Sequence, residues 1–185
     1  MTSQRCLYTL LYSPRESHEE ILRELVEPVT REARTHTELD SLFYARFNIP
    51  RWQVRFRVLG RPAWVEGEVR KLVEERLTVL RERGLIEGHE FAEYEREYDR
   101  YGGEEGMALA EQIFFHDSVA CLDLIEADRQ GALAKSRREF VLVITERFLD
   151  LLTREVKQRD LHPAVGNEPV LKGEVANRSS KAEGK

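Results

Sequence analysis

The segment at residues 52–59 (WQVRFRVL) alternates apolar and polar side chains more regularly than any other stretch of the sequence. The apolar series consists of Trp52, Val54, Phe56 and Val58, and the polar series consists of Gln53, Arg55 and Arg57. Successive side chains of a β-strand point to opposite faces of its sheet, so the pattern predicts a strand with one apolar face. Arg55 and Arg57 then share the other face.

Three other segments complete a predicted four-stranded sheet. Residues 5–13 (RCLYTLLYS) predict a buried first strand, and residues 40–48 (DSLFYARFN) predict a second. Residues 89–98 (HEFAEYEREY) interleave charged and aromatic side chains. They leave two interpretations open, a fourth strand or an extended lead into the turn that follows.

Two amphipathic helices alternate with these strands. One begins at Ser17, with Glu20 as its capping-box partner, and runs to about Val29. The other opens at Pro62 and stops at Gly84. The order strand, helix, strand, strand, helix, strand is that of the ferredoxin-like βαββαβ arrangement. The predicted fold class is therefore α+β, an antiparallel sheet with both helices on one face and with additional C-terminal helices.

Two further helices are predicted, at residues 104–127 and 134–156. The second carries an apolar stripe at helical spacing, including Phe140, Ile144 and Phe148, which is more typical of a core than of a partner surface. The expected organisation is a single α+β domain over residues 1–158, with a sheet-and-helix core at 1–101 and a helical extension at 102–158, and a flexible tail at 159–185.

Composition restricts the classes of function open to the chain. The 185 residues carry a formal net charge of -5, so non-specific nucleic-acid binding is disfavoured and any anion site has to be local. The sequence contains neither a signal-peptide pattern nor a run long enough to span a membrane. Cys6 and Cys121 form no disulfide or metal pattern, and the five histidines lack ligand spacing. These features favour a cytoplasmic protein and predict no metal and no cofactor.

Two segments hold the candidate residues for chemistry. The segment ARFNIPRWQVRFRVLG (residues 45–60) contains Arg46, Arg55 and Arg57, and the segment YEREYDRYGG (residues 94–103) contains Glu97, Arg100 and Tyr101. Guanidinium forks on one strand face can hold carboxylates or phosphates bidentately. An ion-pair ladder on a solvated face would have the same spacing, and the residues alone leave both interpretations open.

The two segments resemble one known family when they are taken together. The pattern R-F-N-x-P-x-x-x-V-R-F-R, followed by Y-x-R-E-x-x-R-Y-G-G and then QIFFHDS, is similar to the C-terminal domain of lantibiotic dehydratases. Stand-alone relatives are the thiopeptide-type bacteriocin biosynthesis proteins, and the resemblance covers about residues 40–125. It implies chemistry on ribosomally made peptides. A separate domain glutamylates Ser or Thr from glutamyl-tRNA, and this domain then eliminates glutamate to leave a dehydroamino acid.

The resemblance implies a role for each matching residue: catalytic for Arg55, Arg57, Glu97 and Arg100, and substrate-binding for Arg46, Gln53 and Tyr101. Glu97 is open to two roles, as the base that removes the α-proton or as the ion-pair partner that orients Arg100, and we favour the second. The implied partners are a leader-bearing precursor peptide and a glutamyl-tRNA-dependent dehydratase subunit. Self-association stays open.

The sequence departs from the family pattern at two points. Gln53 stands where the family usually has histidine, and the family's later H-M-x-x-N-R segment is not reproduced before the sequence ends. His116 or His89 could replace the missing histidine, or another chain could supply it. We expect glutamate elimination. The alternatives are pyridine-forming cycloaddition of dehydroalanines, and a non-catalytic subunit of a split dehydratase that binds the peptide or a partner.

Overall fold

The computed structural model describes residues 4–161 of the chain. By its internal contacts the chain divides into two compact units, Met1–Arg137 and Arg138–Lys185. The single domain over residues 1–158 stays a prediction. Within the described residues, no helix is both long enough and apolar enough to cross a membrane.

Four antiparallel strands form the sheet: β1 (Arg5–Tyr12), β2 (Leu39–Phe47), β3 (Gln53–Gly60) and β4 (Gly88–Ala92). Their order across the sheet is β2-β3-β1-β4, which is the ferredoxin-like topology. The predicted α+β fold class is confirmed. The fourth strand ends at Ala92, so the residues from 93 to 97 form the extended lead that the sequence left open as an alternative.

One helical layer covers a single face of the sheet. Its first part is a short helical turn (Arg15–Ser17), α1 (His18–Ile21), a π-helical segment (Leu22–Val26) and α2 (Glu27–Ala33). Its second part is α3 (Pro62–Trp64), a π-helical segment (Val65–Val69) and α4 (Arg70–Glu82).

The capping box predicted at Ser17 is wrong. Ser17 is the last residue of the short helical turn and has helical backbone angles, whereas a capping residue has an extended backbone, and Ser17 makes no side-chain cap hydrogen bond. Glu20 instead accepts hydrogen bonds from Arg23 at 2.7 Å and from Arg83 at 2.6 Å. The helix also continues past Pro28, which occupies the first turn of α2, where a missing N–H is tolerated.

The core lies between the sheet and this helical layer. One cluster of buried apolar side chains joins β1, β3 and both helical parts, and it includes Leu11, Val54, Phe56, Ile21, Leu25, Val73 and Leu77. The alternation along β3 therefore points its apolar series inward, as predicted. Arg55 and Arg57 project from the face that this layer leaves uncovered.

A long helix, α6 (Gly103–Arg129), covers the outer edge of β2. The Tyr44 backbone N–H donates to Ser118 Oγ at 3.1 Å, and Ser41 Oγ donates to the Glu111 carbonyl at 3.0 Å. These bonds satisfy backbone groups at the strand edge and at the helix, so this edge of the sheet is not free to pair with another strand.

The last helix, α7 (Arg137–Leu161), extends past residue 159, where the sequence predicts the start of a flexible tail. The rest of that predicted tail, residues 162–185, lies outside the described residues. The apolar stripe of α7 is exposed, with fractions of 51% at Val141, 52% at Ile144 and 53% at Phe148. The interpretation of this stripe as core is therefore wrong for these side chains.

Candidate active site

The uncovered face of the sheet carries three arginines stacked on aromatic rings. Each guanidinium carbon lies 3.7–4.0 Å from a ring centroid, in the pairs Arg57–Tyr8, Arg55–Phe47 and Arg51–Tyr12. Strand register explains the first pair, because Tyr8 is directly opposite Arg57 on the neighbouring strand. The ring faces attract the cations without neutralising them, so the charge stays available to an anion.

Arg57 is surrounded by aromatic rings on this face. Its guanidinium carbon also lies 5.2 Å from the Phe43 centroid and 5.0 Å from the Tyr94 centroid. Burial lowers the pKa of Arg57 from its ordinary value. The Nε atoms of Arg57 and Arg55 are buried and have no hydrogen-bond partner among residues 4–161. A desolvated guanidinium with an unused donor is suited to bind an anion.

A cleft of about 270 Å³ opens between this sheet face, the loop after β4 and α6. Phe43, Tyr94 and Phe114 form its apolar walls, and Arg57 and Asp117 are among its polar lining. The walls pack edge to face, with the Phe43 and Tyr94 centroids 5.9 Å apart. A cation in such an apolar surrounding interacts with a bound anion more strongly than it would in open water.

A single helical turn, α5 (Tyr98–Tyr101), brings the second arginine segment to the cleft. The Glu97 carbonyl begins the turn by accepting the backbone N–H groups of Arg100 at 3.0 Å and of Tyr101 at 3.2 Å. Residues three apart on a helical turn share a side, and the Arg100 guanidinium donates to the Glu97 carboxylate at 2.8 Å. The side chains of Glu97, Arg100 and Tyr101 all line the cleft beside Arg57.

The double glycine after this turn sets the direction of α6. Gly102 and Gly103 have φ angles of 81° and 92°, which a residue with a Cβ adopts only with strain. One turn later, a Cβ on Gly106 would overlap the Tyr101 carbonyl. The glycines thus allow α6 to begin directly after Tyr101, whose ring lies 5.7 Å from that of Phe114.

An ion pair that the sequence analysis missed fixes the loop before α5. Arg96 donates from Nε to Glu111 Oε1 at 2.7 Å and from Nη2 to Oε2 at 3.1 Å. Glu111 lies on α6 and is only 6% exposed. Arg96 is part of the quoted motif, but its partner is fifteen residues away on another element, so no local pattern identifies the pair.

Two predicted site residues share the uncovered face without lining the cleft. Arg55 lies over Phe47, whose ring does line it. Gln53 is 1% exposed, and its Nε2 donates to the Ile49 carbonyl at 3.0 Å. The Gln53 amide therefore supports the turn that contains the cis Ile49–Pro50 peptide bond.

Arg46 is not brought together with the other two strand arginines. It pairs with Val54, whose side chain belongs to the core, whereas its neighbour Ala45 pairs with Arg55. The charge of Arg46 acts on a group at the helix-covered face of the sheet. There the pKa of His18 is lowered by burial and then by the charge of Arg46.

Comparison with known proteins identifies the family. The model of the lantibiotic biosynthesis dehydratase C-terminal domain matches residues 7–178. The chain belongs to this family. The subtilin biosynthesis protein SpaB from Bacillus subtilis is 32% identical over 108 residues, which are 58% of this chain and 10% of SpaB.

Two solved structures resemble this member of the lantibiotic dehydratase C-terminal family. The crystal structure of the tRNA dependent lantibiotic dehydratase MibB from Microbispora sp. 107891 has a TM-score of 0.60 and 30% identity, covering 67% of this chain and 12% of that chain. The crystal structure of TsrL has a TM-score of 0.53 and 22% identity, covering 77% of this chain and 39% of that chain, and it shows the fold alone. The chain thus spans only about a tenth of the length of SpaB and MibB.

Neither histidine proposed as a substitute lines the cleft of this family member. His89 lies on β4, with its Nδ1 2.7 Å from an Arg81 guanidinium nitrogen. His116 lies on α6, where its ring packs edge-on against Phe115 with centroids 5.2 Å apart. Its neighbour Asp117 does line the cleft, and the sequence analysis did not select it.

Proposed function

We propose that this chain eliminates glutamate from glutamylated Ser or Thr residues of a precursor peptide, which leaves dehydroalanine or dehydrobutyrine. The observation that carries the proposal is the cleft that Arg57 and Arg100 line together with Glu97. The leaving glutamate keeps a free carboxylate, and the two guanidiniums provide forked donors for such a group. Membership of the lantibiotic dehydratase C-terminal family supports the same reaction.

The proposed elimination needs a base that removes a proton and a site that binds the leaving anion. A base removes the α-proton of the modified residue. The released electron pair forms the Cα–Cβ double bond as the Cβ–O ester bond breaks, and glutamate leaves with the Cβ–O bonding pair as a carboxylate. Arg57 and Arg100 are assigned to bind the glutamyl group and to stabilise the negative charge that develops on its oxygen.

Glu95, Glu97 and Asp117 are the carboxylates that line this cleft and that we consider as bases. Glu97 already accepts a hydrogen bond from Arg100 at 2.8 Å, which favours its role in orienting that arginine. The variant Asp117→Asn therefore tests whether Asp117 is the base. Tyr101 forms part of the cleft wall and is assigned to substrate binding, while Arg55 contributes positive charge at the edge of the site.

The proposed partners follow from the proposed reaction. The substrate is a leader-bearing precursor peptide, and a glutamyl-tRNA-dependent dehydratase subunit supplies its glutamylated form. We place the whole reaction in the domain predicted over residues 1–158, because the cleft and all seven candidate residues lie within it.

Mass spectrometry of a glutamylated Ser-containing precursor peptide tests the proposal. The purified chain is expected to convert the peptide to the dehydrated form with loss of the glutamate mass. Arg57→Ala and Arg100→Ala are each expected to slow this conversion about a hundredfold or more. Arg31→Ala is the matched control, since Arg31 is 72% exposed on α2 and remote from the cleft.

Three results would contradict the proposal in different ways. Unchanged conversion by both cleft variants would remove the arginines from the reaction. Conversion only after addition of a glutamylating subunit would make the chain part of a split enzyme. A dehydrated peptide that is consumed to a pyridine-containing product would assign cycloaddition instead.

A further inference from the structure

We infer that Glu111, a buried carboxylate on α6, is a positioning residue that sets the geometry of the arginine cleft without touching the substrate. The inference rests on the proposed function and adds a residue that the family motifs did not select. Glu111 connects three elements that together form the cleft: α6, the loop that follows β4, and the sheet.

The loop is tied to Glu111 through Arg96. The two hydrogen bonds between the Arg96 guanidinium and the Glu111 carboxylate, at 2.7 and 3.1 Å, have the bidentate geometry of a strong ion pair. Arg96 immediately precedes Glu97, the residue that begins α5. The Glu111 side chain is 8% exposed and that of Arg96 27%, so the buried carboxylate depends on Arg96 for its counter-charge, and this dependence holds the loop against α6.

The Tyr94 ring beside Arg57 is connected to the same ion pair through Arg96. The Arg96 guanidinium carbon lies 5.9 Å from the Tyr94 ring centroid. Burial raises the pKa of the Tyr94 hydroxyl, and the charge of Glu111 raises it further. The Tyr94 ring lies 5.0 Å from the Arg57 guanidinium and packs edge-on against Tyr8 with centroids 6.2 Å apart. The Arg96–Glu111 pair therefore positions one of the rings that surround Arg57.

The sheet is tied to Glu111 through the backbone. The Glu111 carbonyl accepts the Ser41 Oγ hydrogen bond at 3.0 Å, which anchors this turn of α6 on β2. Glu111 thus positions Arg57, on the sheet, and the Glu97–Arg100 pair, at the start of α5, relative to one another. Catalytic rates depend steeply on such alignment, and a misplacement of about 1 Å costs roughly a hundredfold.

Glu111→Gln tests the inference, with Asp123→Asn as the matched control. Both variants replace one carboxylate of α6 by an amide, and Asp123 is exposed on that helix. We expect Glu111→Gln to lower kcat for elimination by about a hundredfold with little change in KM, because alignment rather than binding is lost. Asp123→Asn is expected to leave both constants unchanged.

A spectroscopic readout separates positioning from mere stabilisation and needs no activity. The Nε–H of Arg57 is buried, so its nitrogen–proton NMR signal reports directly on the surroundings of that guanidinium. Glu111→Gln and Arg96→Lys are expected to shift this signal and to speed its exchange with water, whereas Asp123→Asn is not. Arg96→Lys keeps the positive charge beside Glu111 but loses the two-point hydrogen bonding, so it covers the case in which Glu111→Gln fails to fold.

The outcomes distinguish this inference from the proposed function. An unshifted Arg57 signal in folded Glu111→Gln or Arg96→Lys would overturn the positioning role, whatever the activity. A shifted signal in a chain that eliminates no glutamate would keep the positioning role and overturn the proposed reaction.

Discussion

Arg46 and Arg57 lie on opposite faces of the same sheet, although both belong to one arginine-rich segment of sequence. Arg57 pairs with Phe43 and Tyr8 on the uncovered face, while Arg46 pairs with Val54, whose side chain is in the core. The uncovered face therefore carries Arg55 and Arg57 but not Arg46.

The charge of Arg46 is expected to act on His18 and not on the cleft. Arg46→Ala should raise the pKa of His18, because the removed guanidinium is one cause of its lowered value. An NMR titration of the His18 ring protons measures this pKa, and Arg31→Ala is the control for a general loss of charge. A lower or unchanged pKa in Arg46→Ala would contradict the assigned position of Arg46.

Burial of His18 is expected to make folding sensitive to mild acid. His18 is 1% exposed and its pKa is lowered, first by burial, so the unfolded chain binds a proton more readily than the folded one. The contribution of His18 to the free energy of unfolding is full above about pH 6.5, which is the pKa of histidine in the unfolded chain. This contribution falls as the pH drops below that value.

Urea unfolding at pH 7.5 and at pH 5.5 tests this expectation, with His18→Gln as the comparison. The urea concentration at the unfolding midpoint should fall further between pH 7.5 and pH 5.5 for the natural chain than for the variant. Equal losses in both proteins would assign the acid sensitivity to other groups.

Glu97 and Arg100 are expected to act as a unit in the cleft. Their hydrogen bond is 2.8 Å long, so removing either partner disturbs the same arginine geometry. The double variant Glu97→Gln/Arg100→Ala should therefore be scarcely slower than Arg100→Ala alone, when kcat/KM is measured in a double-mutant cycle. Losses that multiply in the double variant would instead assign Glu97 an independent role such as that of the base.

Cys6 is expected to be inert toward alkylation at neutral pH. Burial raises the pKa of the Cys6 thiol to about 12, so roughly one thiol in ten thousand is ionised at pH 8. Burial also raises the pKa of Cys121. Mass spectrometry after a short iodoacetamide treatment should find the folded chain largely unmodified and the urea-unfolded chain modified twice. Rapid labelling of Cys6 in the folded chain would show that the thiol is neither buried nor shifted.

The site as a whole could be predicted only in part from the sequence. Arg57, Glu97, Arg100 and Tyr101 were selected by motif, and the structure gathers them around one cleft. Arg96 lay within the motif, but its role depends on Glu111, and a contact between residues fifteen positions apart has no periodicity to reveal it. Asp117 was not selected, because only the position of α6 shows which side chains of that helix face the cleft.

The sequence by itself determined the element order, the apolar series of β3 and the shared face of Arg55 and Arg57, because strand periodicity is a local property of the chain. The tertiary structure alone decided the face of Arg46, the engagement of Gln53 by a turn and the placement of the loop by Glu111. Each of these depends on strand register or on packing between distant elements, and neither is encoded in the spacing of residues along one segment.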